Sequence, residues 1–180
     1  MNYVESIRDL EKIKAMKTLL KKRSKRDCFL FTFGINTGLR ISDILKLKVS
    51  DVKGKTHLKI NEVKTGKLKR FKINEYLKNK IDHYILNLKN DEFLFPSRIK
   101  NKAISRVMIY KILNEVGKKL GLENIGTHTM RKTFGYFFYK KTKDIAILQD
   151  LFNHSKPEIT LRYIGITQER LDSFVDEICL

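Results

Sequence analysis

Two arginines, two histidines, one lysine and one tyrosine have types and spacings that could do chemistry together. Arg40 stands in Thr37–Gly38–Leu39–Arg40–Ile41–Ser42–Asp43, after a glycine turn at the mouth of a helix. His128 and Arg131 lie in His128–Thr129–Met130–Arg131 and, three apart, share one face of a helix. His154 precedes Tyr163 across a break at Pro157, and Lys64 lies in the turn segment Val63–Lys64–Thr65–Gly66–Lys67. Planar guanidinium forks match phosphate oxygens better than ammonium groups do. Arg40 and Arg131 therefore suit the negative charge that gathers on phosphorus oxygens during phosphoryl transfer, with His154 adding a hydrogen bond. His128 can take or relay a proton, and a lysine on a turn can protonate a leaving oxygen. A tyrosine phenol can conserve bond energy as a covalent intermediate. The His-x-x-Arg pair and the His154–Tyr163 spacing would occur together by chance only about 0.03 times in a chain of this composition.

Other chemistries are missing. The sequence has no His-Glu-x-x-His, no Cys-x-x-Cys and no two histidines on one helical turn, so no metal site is expected. Gly66–Lys67 resembles the end of a phosphate loop, but position 61 is Asn rather than Gly and position 68 is Leu rather than Ser or Thr. No nucleotide site is expected. There is no Gly-x-Ser-x-Gly elbow, and no paired-carboxylate cluster for the magnesium ions of a nuclease. The expected cofactor list is empty.

These groups must be positioned by mostly helical elements. Ile7, Leu10, Ile13, Met16 and Leu20 space a helix over Ser6–Lys22, and Ser24 can cap a second one that ends near Gly38. Ser42 can cap a short helix through Leu47. Val49–Val52, His57–Ile60 and Leu68–Ile73, separated by Gly54 and Thr65–Gly66, predict three short antiparallel strands. Phe71 and Ile73 alternate there with Arg70 and Lys72, which gives the sheet a basic outer side. Asn74 can cap a helix with the stripe Leu77, Ile81, Tyr84, Ile85 and Leu88. Further helices are predicted over 103–120, from Thr127 or His128 to about Lys140, from a Thr142 cap through Phe152, from Pro157 to Tyr163, and over the stripe Leu171, Phe174, Val175 and Ile178. The aromatic run Phe134–Tyr139 reads as core packing. The expected fold class is mostly α with a small three-stranded antiparallel sheet, in one domain spanning 1–180.

Composition narrows the partners. The 180 residues carry a formal charge of +18, split as +9, +9 and zero over successive thirds. With 42% hydrophobic residues the chain can bury a core, and it has no apolar run of membrane-spanning length. Two cysteines do not make a disulfide framework and fit a reducing cytosol. A secreted, membrane-spanning or collagen-like protein is excluded. The basic body favours a polyanion, and the acidic tail (Glu169, Asp172, Asp176, Glu177) favours a protein contact.

The sequence resembles the tyrosine recombinase (phage integrase) family, in particular its C-terminal catalytic domain. The resemblance rests on Thr37–Asp43 as a first arginine box, Val63–Lys67 as a lysine hairpin, and His128–Arg131 with His154 and Tyr163 as a second box. It implies a tyrosine recombinase catalytic-domain fold and an active site of Arg40, Lys64, His128, Arg131, His154 and Tyr163, supported by Asp43. It implies cleavage and rejoining of double-stranded DNA through a 3′-phosphotyrosine with a released 5′-hydroxyl, without metal or ATP, in the cytoplasm at the nucleoid. Lys67, Lys69, Arg70, Lys100, Lys102 and Arg106 are candidate DNA contacts, with Lys67 also an alternative to Lys64. The family's usual N-terminal DNA-binding domain is expected to be absent. Its post-nucleophile helix, here within 165–180, is expected to dock on a neighbouring protomer during self-assembly, or else on its own domain. A type IB topoisomerase-like nicking-closing enzyme and a non-catalytic DNA-binding or regulatory module remain as rival readings.

Overall fold

The computed structural model describes residues 4–62, 66, 68–99, 101–167, 173 and 175. Asp9 starts α1 (Leu10–Arg23) by accepting the backbone N–H groups of Glu11 and Lys12. The helix buries Ile13, Met16 and Leu20 against α2 (Lys25–Thr37). α2 is buried nearly all round, with Phe29, Leu30, Phe31 and Phe33 among its buried residues, and it forms the centre of the main core. A helix of that pattern must be covered on several sides. Here the cover is α1, α4 (Glu75–Ile85) and α6 (Thr127–Thr142). Burial of side chains such as Phe31, Phe33 and Phe95 stabilises the fold by roughly 1.5–3 kcal/mol each before chain entropy is subtracted.

Gly38 ends α2 at φ +64°, a conformation that suits glycine, and its N–H donates to Gly34 O at 3.0 Å. The chain then turns sharply into α3 (Ile41–Ile44), with Arg40 as its N-cap residue. The helix begins there rather than at a Ser42 cap.

The sheet has two strands, not the three expected. β1 (His57–Asn61) pairs antiparallel with β2 (Leu68–Lys72), placing Leu58 opposite Phe71 and Ile60 opposite Lys69. The expected first strand is a 3₁₀ turn over Val49–Asp51. Val49 and Val52 are both buried and lie three apart, which fits one 3₁₀ turn and not the alternation of a strand. The Asp51 carboxylate fastens the turn by accepting the Lys48 N–H at 2.8 Å.

Asn74 caps α4 as expected, accepting the Leu77 N–H at 2.8 Å, and Ser105 caps α5 (Arg106–Lys119). Asp144, not Thr142, caps α7 (Ile145–Phe152), because α6 continues through Thr142 before the chain turns at Lys143. α8 (Pro157–Ile164) starts with Pro157 in its first turn, where the missing N–H costs nothing. Tyr136, Leu148, Phe152, Ile164 and Ile166 form a second core cluster between α6, α7 and α8. Among the described residues no helix is long and apolar enough to cross a membrane. Of the expected final helix only Ser173 and Val175 are described, so Leu171, Phe174, Ile178 and the acidic tail residues lie outside the described residues.

α8 meets α6 at Gly135. A Cβ there would sit 2.7 Å from Ile164 Cγ2 and 2.8 Å from two Phe152 ring carbons. Gly135→Ala should therefore overpack this contact and cost about 1–3 kcal/mol of unfolding free energy, measured by urea denaturation.

Candidate active site

The turn at Gly38 and the start of α3 set Arg40 facing the end of the β1–β2 hairpin. Its Nη1 donates to Glu62 Oε1 at 2.7 Å and its Nη2 to the Phe152 carbonyl at 3.3 Å. Arg131 projects from the middle of α6 and is only 4% exposed. Its Nη1 donates to the Gly38 carbonyl at 2.6 Å and its Nη2 to the Phe152 carbonyl at 3.0 Å. The guanidinium also lies 4.0 Å from the centroid of the Phe152 ring. One carbonyl, at the last residue of α7, thus receives a donor from each arginine. Burial pushes Arg131 down to about 10, against the opposing pull of Tyr163, Glu62 and Asp43, so it stays charged at neutral pH. Asp43 is buried on α3.

His128 lies one turn before Arg131 on α6, and its Nδ1 is 3.3 Å from Tyr163 Oη. Burial holds this imidazole below its ordinary range, and Arg106, Arg131, Lys132 and Arg40 reinforce the effect. Tyr163 is in the last turn of α8, its ring packed edge-on against Phe152 at 5.6 Å and His154 at 5.2 Å. Burial raises its phenol above the usual value, while Arg131 and Arg40 favour the phenolate. The His154 ring is held by Nδ1 at 3.0 Å from Oγ1 of the buried Thr160. The fold therefore brings Arg40, His128, Arg131, His154 and Tyr163 together, with Asp43 close enough to favour the charged Arg131.

The expected lysines divide. Lys64, Lys67 and Lys100 lie outside the described residues. The Gly66 N–H donates to the Glu62 carbonyl at 2.8 Å. Arg70, Lys102 and Arg106 are exposed. Lys69, expected at the surface beside Arg70, points inward and donates to the Asp150 and Leu151 carbonyls at 3.0 and 2.7 Å. Its position two residues before Phe71 places it on the inward face of β2, a signal the alternation already carried.

Sequence reasoning missed four residues. Glu62 is fully buried, 1% exposed, and joins Arg40, Asn153 and Lys69. It has the same parity as the inward Leu58 and Ile60, so strand alternation would have turned it inward. Asn153 caps α7 in the left-handed region at φ 52° and donates its side-chain amide to Glu62 Oε2. Lys132 places Nζ 5.2 Å from the Tyr163 ring centroid. Arg8, in the segment before α1, donates Nη2 at 2.9 Å to the Gly165 carbonyl at the end of α8. Among the described residues no group of three His, Cys, Asp or Glu side chains is placed to hold a metal ion.

The phage integrase family profile matches residues 7–170, nearly the entire chain. The chain belongs to the phage integrase family. This integrase-family chain is 54% identical over 169 residues to "Probable integrase/recombinase YoeC" of Bacillus subtilis (strain 168), spanning 94% of this chain and 93% of that protein. It is 30% identical over 170 residues to "Tyrosine recombinase XerA" of Pyrococcus furiosus, spanning 92% of this chain but 59% of that one. Among solved structures, a XerA recombinase superimposes with a TM-score of 0.74 at 18% identity, covering 98% of this chain and 65% of the other. A XerH site-specific recombinase bound to its difH substrate gives 0.70 at 20% identity, covering 97% and 54%. These two likenesses establish that the integrase-family chain has the fold of tyrosine recombinase catalytic domains.

Proposed function

We propose that the chain is the catalytic unit of a tyrosine recombinase, cleaving and rejoining double-stranded DNA at specific sites. The observation that carries this reading is the approach of Tyr163 Oη to His128 Nδ1, 3.3 Å apart, beside two guanidinium groups that share the Phe152 carbonyl. Tyr163 Oη attacks the scissile phosphorus and passes its proton to His128, which burial keeps neutral and therefore able to accept it. Arg40 and Arg131 hold the non-bridging oxygens as charge accumulates there, and His154 donates a further hydrogen bond. The bond from phosphorus to the 5′ oxygen breaks as Lys64 protonates that oxygen. A 3′-phosphotyrosine and a free 5′-hydroxyl result. Attack by a 5′-hydroxyl reverses the step, so the bond energy is conserved and no nucleotide is consumed.

Arg70, Lys102 and Arg106, with Lys67 and Lys100, follow the phosphate backbone and position the duplex. The apolar stripe Leu171, Phe174, Val175 and Ile178 docks on a neighbouring copy during assembly on DNA, a reading supported by the 66% exposure of Val175. The protein acts on DNA of the cytoplasmic nucleoid.

The test is a pool of short nicked duplexes, randomised around the nick, in which cleavage releases a small 5′-hydroxyl fragment that diffuses away. Incubated with the protein in excess EDTA, the pool should yield a denaturant-resistant protein–DNA adduct. Absence of any adduct, with DNA binding retained, would identify a binding module instead. The low-lying His128 fixes the pH response. The neutral form is the base, so the cleavage rate should fall on acidification only below about pH 6.5, the ordinary imidazole value. His128→Gln should remove that acid limb in a pH–rate profile.

A further inference from the structure

A carboxylate beside a phosphate-binding site is electrostatically unfavourable for the substrate, and Glu62 is such a group. Its side chain is 1% exposed, and its Oε1 sits 2.7 Å from Arg40 Nη1 and 3.7 Å from Lys69 Nζ. Its Oε2 accepts the amide of Asn153. The three partners come from three places: the loop into α3, strand β2, and the left-handed cap of α7. Lys69 extends the connection, because it also donates to the Asp150 and Leu151 carbonyls in the last turn of α7. The Phe152 carbonyl that receives both arginines immediately precedes Asn153.

We infer that Glu62 is a positioning residue for strand cleavage: its carboxylate fixes the Arg40 guanidinium from behind and ties the hairpin to the end of α7, while opposing the bound phosphate. The assignment rests on the strand-cleavage reading above. A buried carboxylate is stable only when its oxygens are bonded, and cations on two sides satisfy that condition here. Burial pushes the Lys69 ammonium down, and the Glu62 carboxylate opposes that shift. Arg40 could otherwise turn within the space its long side chain allows. With one terminal nitrogen on Glu62 and the other on Phe152, its plane is set before DNA arrives.

The consequence is a split between binding and rate. Glu62→Gln keeps the shape but removes the charge that faces the phosphate, so DNA affinity should rise about threefold. The cleavage rate at saturating DNA should fall about 10- to 100-fold, because a neutral amide oxygen holds Arg40 in its productive plane less firmly than the carboxylate does. Asn153→Gly provides a second variant, since glycine adopts φ 52° without strain and the fold should be retained. It should slow cleavage at saturation about threefold to tenfold and leave affinity within about twofold.

The experiment measures equilibrium binding and single-turnover adduct formation with the most reactive duplex of the nicked pool, comparing wild type, both variants and Tyr163→Phe. Tighter binding with slower cleavage in Glu62→Gln supports the assignment, as does slower cleavage alone in Asn153→Gly. If the adduct depends on Tyr163 but both variants cleave at the wild-type rate, the Glu62 assignment is overturned alone. It is likewise overturned if a folded Glu62→Gln loses binding and cleavage in parallel. If wild type gives no Tyr163-dependent adduct, the strand-cleavage reading falls and this assignment falls with it.

Discussion

Tyr163→Phe is expected to lower formation of the covalent protein–DNA adduct by at least about 10⁴-fold, below detection, in the EDTA assay. The substitution removes one oxygen and leaves the packing alone. The ring's edge-on contacts with Phe152 and His154 involve carbons that phenylalanine keeps. The lost hydroxyl is the one near His128, a contact worth about 0.5–1.5 kcal/mol in stability. Folding and DNA affinity should therefore be nearly unchanged while the reaction stops, a separation that gel-shift binding, urea denaturation and adduct formation together will read. Phe is the informative choice because Tyr163→Ala would also open a cavity between α6, α7 and α8.

Arg131→Ala should produce the second large effect, and there stability and chemistry move together. The guanidinium is the donor to the Gly38 carbonyl and one of two donors to the Phe152 carbonyl. Removing it strips a buried carbonyl of its donor, at about 1–3 kcal/mol, and takes a cation off the Phe152 ring. The loss of charge stabilisation should lower the single-turnover cleavage rate by a further 10²–10³-fold or so at a temperature where the variant is folded. Arg131→Lys separates the two contributions. An ammonium retains the charge but does not span two acceptors as a fork does, so it should recover stability better than rate. Urea denaturation and adduct kinetics on the same preparations make the comparison.

The arginine, histidine and tyrosine positions were legible in the sequence because each is tied to a local rule. Gly38 announces a helix end, so Arg40 had to begin the next element. His128 and Arg131 are three apart, so any helix through them presents both on one face. Pro157 breaks the chain between His154 and Tyr163, and the two residues meet because α8 folds back over the end of α7. The anchoring of these groups was harder to read. Glu62 and Lys69 are charged, and a charged residue on a short strand reads as solvent-facing unless its parity is given more weight than its polarity. Both sit on inward positions: Glu62 is stable there beside Arg40 and Lys69, and Lys69 beside Glu62 and the carbonyls of Asp150 and Leu151. That pairing is long-range and leaves no trace in local spacing. The Val49–Val52 segment was misread for the opposite reason. A short segment bounded by the turn former Gly54 suggested a strand, while the three-residue interval between two buried valines meant a tight turn. The carbonyls of Gly38 and Phe152, which hold the two guanidinium groups, belong to the backbone and have no sequence signature at all.

The central claim is that one phenol, Tyr163, becomes joined to the 3′ end of a cleaved DNA strand. The most direct measurement is to trap the adduct on the nicked duplex pool in EDTA, digest it with protease and nuclease, and identify the modified peptide and the DNA end it carries by mass spectrometry. The account predicts a single modified peptide containing Tyr163, bearing a 3′-phosphoryl nucleotide, with a 5′-hydroxyl on the released fragment. A nucleotide on any other residue, or a 5′-phosphate linkage to Tyr163, would contradict it.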